Sequence, residues 1–217
     1  MGQKYSQMDW NWTWNNVCKV AEDYKIQLKS IMVLWEPPNS NQWKINTDGS
    51  FCANADKAGI GGVVRKRNGQ MVMAFSAPVH FLTNNYSEVL VLLSTLFAIL
   101  WCCDHNCQDL ILELDSLLVV NMIRGKYNTP WRLKEGVTLI QQKVQHHGIK
   151  IKYCYSEGNE VADALAKHAA TLTQQAIFLN ETEMPAEARN AMSMDRRQIP
   201  NFRIRPKKHS GWIFDPP

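Results

Sequence analysis

Residues 43–51 read WKINTDGSF, and this stretch decides the fold. Side chains alternate across a strand. Ile45 and Thr47 therefore share one face, and Asn46 and Asp48 the other. Working outward, Gly59, Gly61 and Gly62 open a second apolar run, GIGGVVR. The pair Asn68-Gly69 is a strong hairpin signal, and QMVMAFSAP follows as a third strand, which completes a meander. Residues 86–102 form a long Leu- and Ala-rich helical run, whose low polarity implies burial on more than one side. DLILELD (109–115) is a short strand. Ser116 can cap a helix running to about Arg124, which Gly125 ends. A further helix is expected over 131–147, ended by Gly148. IKIKYCY alternates as a strand, and 159–172 form a last helix that buries Val161 and Leu165. A meander followed by strand–helix alternation implies an α/β fold. The expected sheet is mixed and five-stranded, three antiparallel strands plus two parallel ones, with helices on both faces.

The flanks read differently. Residues 1–42 are an N-terminal extension, 43–172 the domain proper, and 173–217 a basic, poorly ordered tail. Trp10, Trp12 and Trp14 recur at strand period and could stack bases or pack on the protein body. Val17, Val20, Ala21, Tyr24, Leu28, Ile31, Met32 and Trp35 follow helical spacing, and Pro37-Pro38 opens a linker. The tail carries Arg196, Arg197, Arg203, Arg205, Lys207 and Lys208 against Asp215, which suits a phosphate backbone or simply a solvated terminus.

With 217 residues and 45% apolar content, the chain can bury a core without disulfides or a structural metal. Global disorder is excluded by the same fraction. No stretch of 18 uncharged apolar residues occurs, so no membrane partner is expected. MGQKYSQMDW lacks an apolar signal core, so an intracellular, unexported protein is expected, in nucleus or cytoplasm. Gly2 and Ser6 fit the minimal myristoylation pattern, which is short and common. Six cysteines then read as reduced thiols. Cys102, Cys103, Cys107 and His105 cluster, but a zinc site needs a second ligand pair, and buried thiols are the plainer reading.

Four carboxylates fall at element ends: Asp48, Glu88, Asp115 and Asp163. If the first and fourth strands are neighbours, Asp48 and Asp115 emerge together. Clustered carboxylates repel unless a cation lies between them. Hard oxygen donors suit Mg²⁺ or Mn²⁺. Two such ions about 3.5–4 Å apart can clamp the attacking and leaving oxygens of a phosphodiester. Singly, each acid also reads as a cap or turn residue.

NTDGS (46–50), AGIGGVVR (58–65), TNNYSE (83–88), ELDS (113–116) and NEVADALAK (159–167) together resemble the type-1 ribonuclease H domain, in the plant, retrotransposon-derived flavour. The resemblance covers residues 35–172. It implies an endonuclease that cuts the RNA strand of RNA–DNA hybrids. Asp48, Glu88, Asp115 and Asp163 fall on its catalytic, metal-binding acids, with two Mg²⁺ as cofactors and Mn²⁺ as substitute. Gly49, Ser50, Asn84 and Asn85 fall on its hybrid-contacting segments, which read 2′-hydroxyls across a wide minor groove. A hybrid or another nucleic acid is the implied partner, and a monomer is expected. Two positions depart from the pattern. Ser156 stands where members carry a mobile His or an Arg, and Tyr153 where the plant motif has His. Trp131, Arg132 and Lys134 lie where some members carry a basic protrusion, although Trp131 also reads as a core anchor. A retroelement-derived binding module with weak or no cutting is the second reading.

Overall fold

The computed structural model describes residues 28–52, 57–80 and 87–206. The large sheet is six-stranded and mixed. Its strands are β2 (Trp43–Cys52), β3 (Lys57–Arg65), β4 (Met71–Val79), β5 (Leu110–Leu114), β6 (Lys150–Tyr153) and β7 (Ala176–Phe178). Their order across the sheet is β6-β5-β2-β3-β4-β7. β2, β3 and β4 form the antiparallel meander, and β5 and β6 add in parallel beside β2. The expected five strands are thus present.

The sixth strand, β7, corrects the reading of a poorly ordered tail. Ala176–Phe178 pairs antiparallel with β4. Phe178 then joins Met184, Ala188 and Met192 in a core with Val63, Ala74, Val161 and Leu165. Charge counting over the tail hid these apolar residues, although Met184, Ala188 and Met192 recur at every fourth position.

Among the described residues five helices cover the sheet: α1 (Ser87–Asp104), α2 (Leu117–Ile123), α3 (Lys134–His146), α4 (Glu160–Ala169) and α5 (Ala186–Arg196). One core joins Ile45, Phe75 and Leu112 of the sheet to Leu90, Ile99, Val120 and Ile140 of α1–α3. The other carries α4 and α5, so helices lie on both faces. Among the described residues, α1 is the one helix long and apolar enough to pass for a membrane span by length and composition. Its Thr95 hydroxyl instead meets that of Thr47 at 3.1 Å, and its Ser94 hydroxyl donates to the Gly61 carbonyl at 2.7 Å.

Local signals hold where they were strong. Ser116 Oγ accepts from the Val119 N–H at 3.3 Å and caps α2. Left-handed Gly125 and Gly148 follow α2 and α3. Gly61 lets α4 close onto β3, because a Cβ there would stand 2.3 Å from the Ala166 nitrogen.

The expected N-terminal helix is corrected at its described end. Leu28–Val33 is a strand, β1, paired with β8 (Asn201–Pro206) in a separate two-stranded sheet. LKSIMV fits helical spacing, but Ile31 and Val33 are β-branched and a partner strand satisfies the backbone. Most of β1 and β8 belongs to one compact unit, and residues 32–201 form another. Residues 1–27, which carry the tryptophan repeat, the myristoylation pattern and the rest of the expected helix, lie outside the described residues.

Candidate active site

Asp48 is not at the end of β2 but sixth of its ten residues, just past the part paired with β5; Asp115 directly follows β5, and Asp163 sits in the first turn of α4. β2 and β5 run parallel with Asn46 opposite Glu113, so Asp48 and Asp115 leave the same end of the sheet two residues further on. Burial pushes the Asp48 carboxyl up to about 7, and the charges of Asp115 and Asp163 push the same way, against a hydrogen bond from the Gly49 N–H. Asp115 is also raised, first by burial, with hydrogen bonds from Ser156 and Asn159 opposing. Three aspartates from three elements are therefore electrostatic neighbours.

Glu88 stands apart from them in its bonding. Its carboxylate accepts from the Ser87 hydroxyl at 3.1 Å. A Cβ on Gly49 would stand 2.3 Å from Leu90 Cβ, so the first turn of α1, which carries Glu88, packs directly on β2. Gly49 is thus already occupied as a packing residue, and Ser50 beside it is half-buried. Asn84 and Asn85 lie outside the described residues.

Asn159, 1% exposed, links the acids to the sheet. Its Nδ2 donates to the Thr47 carbonyl at 3.2 Å, and it also bonds Asp115. Its Oδ1 is buried without a donor. The Asn159 carbonyl accepts from the Asp163 N–H at 3.1 Å, which starts α4 at this point. Two further residues escaped the sequence reading as site members. Lys167 is ion-paired to Asp163 at 2.6 Å, one helical turn on. The Asp–Lys i, i+4 spacing was visible and could have revealed it. Ser156 was noticed for what it lacks, whereas here its side chain hydrogen-bonds Asp115.

The donor set fits a hard divalent cation. Carboxylate and amide oxygens line the site, one aspartate is forced towards protonation, and one buried amide oxygen has nothing to accept from. Among the described residues, however, no three or more Asp, Glu, His or Cys side chains are grouped so as to hold a metal ion. In the cysteine cluster Cys102 is buried and Cys103 and Cys107 are half-buried, and none of the three is in a disulfide.

Trp131 is not a core anchor. It is 80% exposed, with the Arg132 guanidinium 5.3 Å from its ring centre. It precedes α3 in a single 3₁₀ turn, Trp131–Leu133.

A family model described as "Reverse transcriptase-like" matches residues 46–169, more than half of the chain. A protein of Arabidopsis thaliana named "Putative ribonuclease H protein" is 27% identical over 143 residues, 65% of this chain. The chain spans about a quarter of that relative's length, 23%. Among solved structures, LC11-RNase H1, isolated from compost by a metagenomic approach, aligns with TM-score 0.54 and 24% identity over 60% of this chain and 96% of its own. RNase H1 from Halobacterium salinarum NRC-1 aligns with TM-score 0.52 and 23% identity over 59% and 96%. LC11-RNase H1 solved in complex with an RNA/DNA hybrid is 25% identical, with TM-score 0.50 over 59% and 96%. The matched segment contains all four acids and the strands and helices that carry them. The chain belongs to the Reverse transcriptase-like family, and its large sheet with the helices on both faces is a ribonuclease H-like domain of plant type.

Proposed function

We infer that the chain hydrolyses the RNA strand of RNA–DNA hybrids, with Asp48, Asp115, Asp163 and Glu88 holding divalent cations, Mg²⁺ or Mn²⁺. One observation carries this reading: Asp48 is pushed up to about 7 by burial and by the charges of Asp115 and Asp163. Acids set together in this way need a cation in order to be ionised together at neutral pH. When bound, a pair of such ions supplies an activated water and stabilises the departing 3′ oxygen. The chain's own residues do the positioning. Asn159 ties Asp115 to β2, the Gly49 N–H orients Asp48, and the contact of Gly49 with Leu90 fixes the start of α1. Ion binding in this reading draws Asp163 away from Lys167. A structural neighbour holds an RNA/DNA hybrid, which supports that ligand class. Gly49, Ser50, Asn84 and Asn85 contact its 2′-hydroxyls in this reading. Exposed Trp131, Arg132 and Lys134 give a nucleic-acid backbone an aromatic and cationic edge.

A second reading, a nucleic-acid-binding or protein-interaction module with weak or no cutting, is favoured by two observations. Lys167 already serves as a cation for Asp163, and Ser156 can neither carry charge nor shuttle a proton near neutral pH. A labelled hybrid incubated with the protein separates the two readings. Cutting of the RNA strand only with Mg²⁺ or Mn²⁺, leaving 5′ phosphate and 3′ hydroxyl ends, is the expected result. Binding without cutting at high protein concentration would leave the module.

A further inference from the structure

At the end of the large sheet away from the acids lies an open cleft of about 760 Å³. Trp43 in its wall begins β2, and Asp48 is five residues further along the same strand, a run of roughly 17 Å. The cleft is walled by the linker 40–42, by Lys66, Arg67 and Asn68 of the β3–β4 hairpin, and by Asn106 and Gln108 of the turn after α1. Of its nine lining residues, five carry a side-chain amide, two are cations and none is an acid. Asp104 and Asp109 flank the α1 turn in sequence, yet neither lines the cleft.

Several contacts hold these walls in place. The Lys66 ammonium stands 5.2 Å over the Trp43 ring, which keeps it at the mouth of the cleft. Asn68 Oδ1 accepts from the Gln70 N–H at 3.1 Å, so the amide NH₂ is what Asn68 has to donate. On the opposite wall, the Cys107 N–H donates to the Cys102 carbonyl at 2.9 Å, and Asn106 is held left-handed at φ 52°. Lys66, Arg67, Asn68, Asn106 and Gln108 are all exposed and bury no core, so packing does not account for their types. Ligand pockets are usually apolar with few polar groups. This one adds five side-chain amides and two positive charges to its lining, with no carboxylate among the lining residues to offset them. That chemistry suits a strongly accepting anion.

We propose that this cleft is a second binding site, distinct from the acid cluster, that takes a phosphate group of a nucleotide strand. The anion chemistry stands by itself; the strand as its source rests on the function proposed above.

The test uses the full chain without divalent ions, so it is blind to whether the acids cut. Binding of fluorescein-labelled decauridylate is followed by polarisation at several salt concentrations. The double variant K66Q/R67Q changes only exposed residues and should melt as the parent does. Its affinity should fall about five- to tenfold, and the slope of log affinity against log salt should shrink by about one. Equal affinity and slope in parent and variant would overturn the proposal. A second readout locates the ligand. Side-chain amide resonances of Asn68, Asn106 and Gln108 should shift with decauridylate at lower concentration than with inorganic phosphate. Shifts with phosphate alone would overturn the strand as the source, and shifts with neither would overturn the site.

Discussion

The polar face of β2 and β5 carries two groups of charge only two residues apart, and the sequence treats them in opposite ways. At positions 44, 46 and 113 every charge is matched. Lys44 Nζ meets Glu113 Oε1 and Oε2 at 2.8 and 2.9 Å, and Asn46 Nδ2 donates to Glu113 at 3.2 Å. Cross-strand Arg65 donates to Asn46 Oδ1 at 2.9 Å and pairs with Asp195 of α5 at 2.5 Å. Trp35 donates to the same Asn46 oxygen and lies 4.0 Å from the Arg65 guanidinium. Two cations and two anions are thus enclosed and neutralised. At positions 48 and 115 the same strands carry aspartate beside aspartate, with Asp163 adding to them, and Lys167 is the cation paired there. A fold consistent at every level would not leave like charges half-buried together; such a departure marks a working site. The enclosed network serves the fold, and in the function proposed above the aspartates serve the chemistry.

Substitution on each side should separate those two roles. Asp48→Asn keeps the shape and removes one ligand charge. Hybrid cutting should fall by about 10³-fold or more, about 4 kcal/mol in the barrier, with the circular dichroism spectrum unchanged. Retained cutting would detach Asp48 from the reaction. Lys44→Met instead leaves Glu113 buried without its partner. That should cost about 3 kcal/mol of folding stability, read from urea titration, and cutting per folded molecule should change little. A variant as stable as the parent would mean that Asn46 and Arg65 suffice to hold Glu113.

Carboxyls in both regions respond to pH in the same direction, and Asp48 is pushed up to about 7. A carboxyl whose folded pKa is raised binds its proton more tightly in the folded state, so folding loses stability as pH climbs. For Asp48 the window runs from 3.8 to about 7. Asp115 and Asp195 are raised as well and contribute in the same direction. The metal-free parent should therefore be less stable at pH 8 than at pH 5. Asp48→Asn should be about 1–2 kcal/mol more stable than the parent at pH 8 and nearly equal to it at pH 4. A parallel pair of pH–stability curves would refute the raised carboxyl.

The comparison also explains what the sequence could and could not tell. Alternation in WKINTDGSF and DLILELD placed β2 and β5, and with them Asp48 and Asp115, because period two is a local property. Asp163 followed from the start of α4 for the same reason. The enclosed network stayed hidden, since Lys44 and Glu113 are 69 positions apart and Arg65 and Asp195 are 130 apart, and a lysine in a strand ordinarily reads as solvated. β7 was missed because three residues, AIF, are too short to show a period. Helical spacing in LKSIMV was misleading because long-range pairing with β8 overrode it. Trp131 could be read either way, as an aromatic's burial depends on neighbours that its sequence context does not name.

The smallest expected effect falls on Lys167, where the two regions come closest in kind. Its ammonium is exposed and bound to Asp163, so it adds little to folding. In the function proposed above, however, it acts as a competing cation for Asp163. Its Coulomb influence through water-rich surroundings is about 0.5 kcal/mol. Removing it in Lys167→Gln should tighten Mg²⁺ binding by about twofold, read by calorimetry, with no change in melting temperature beyond about 1 °C. Weaker Mg²⁺ binding in the variant would reverse the assignment: Lys167 would then hold Asp163 in its ligating position, and the second group of charges would prove as carefully arranged as the first.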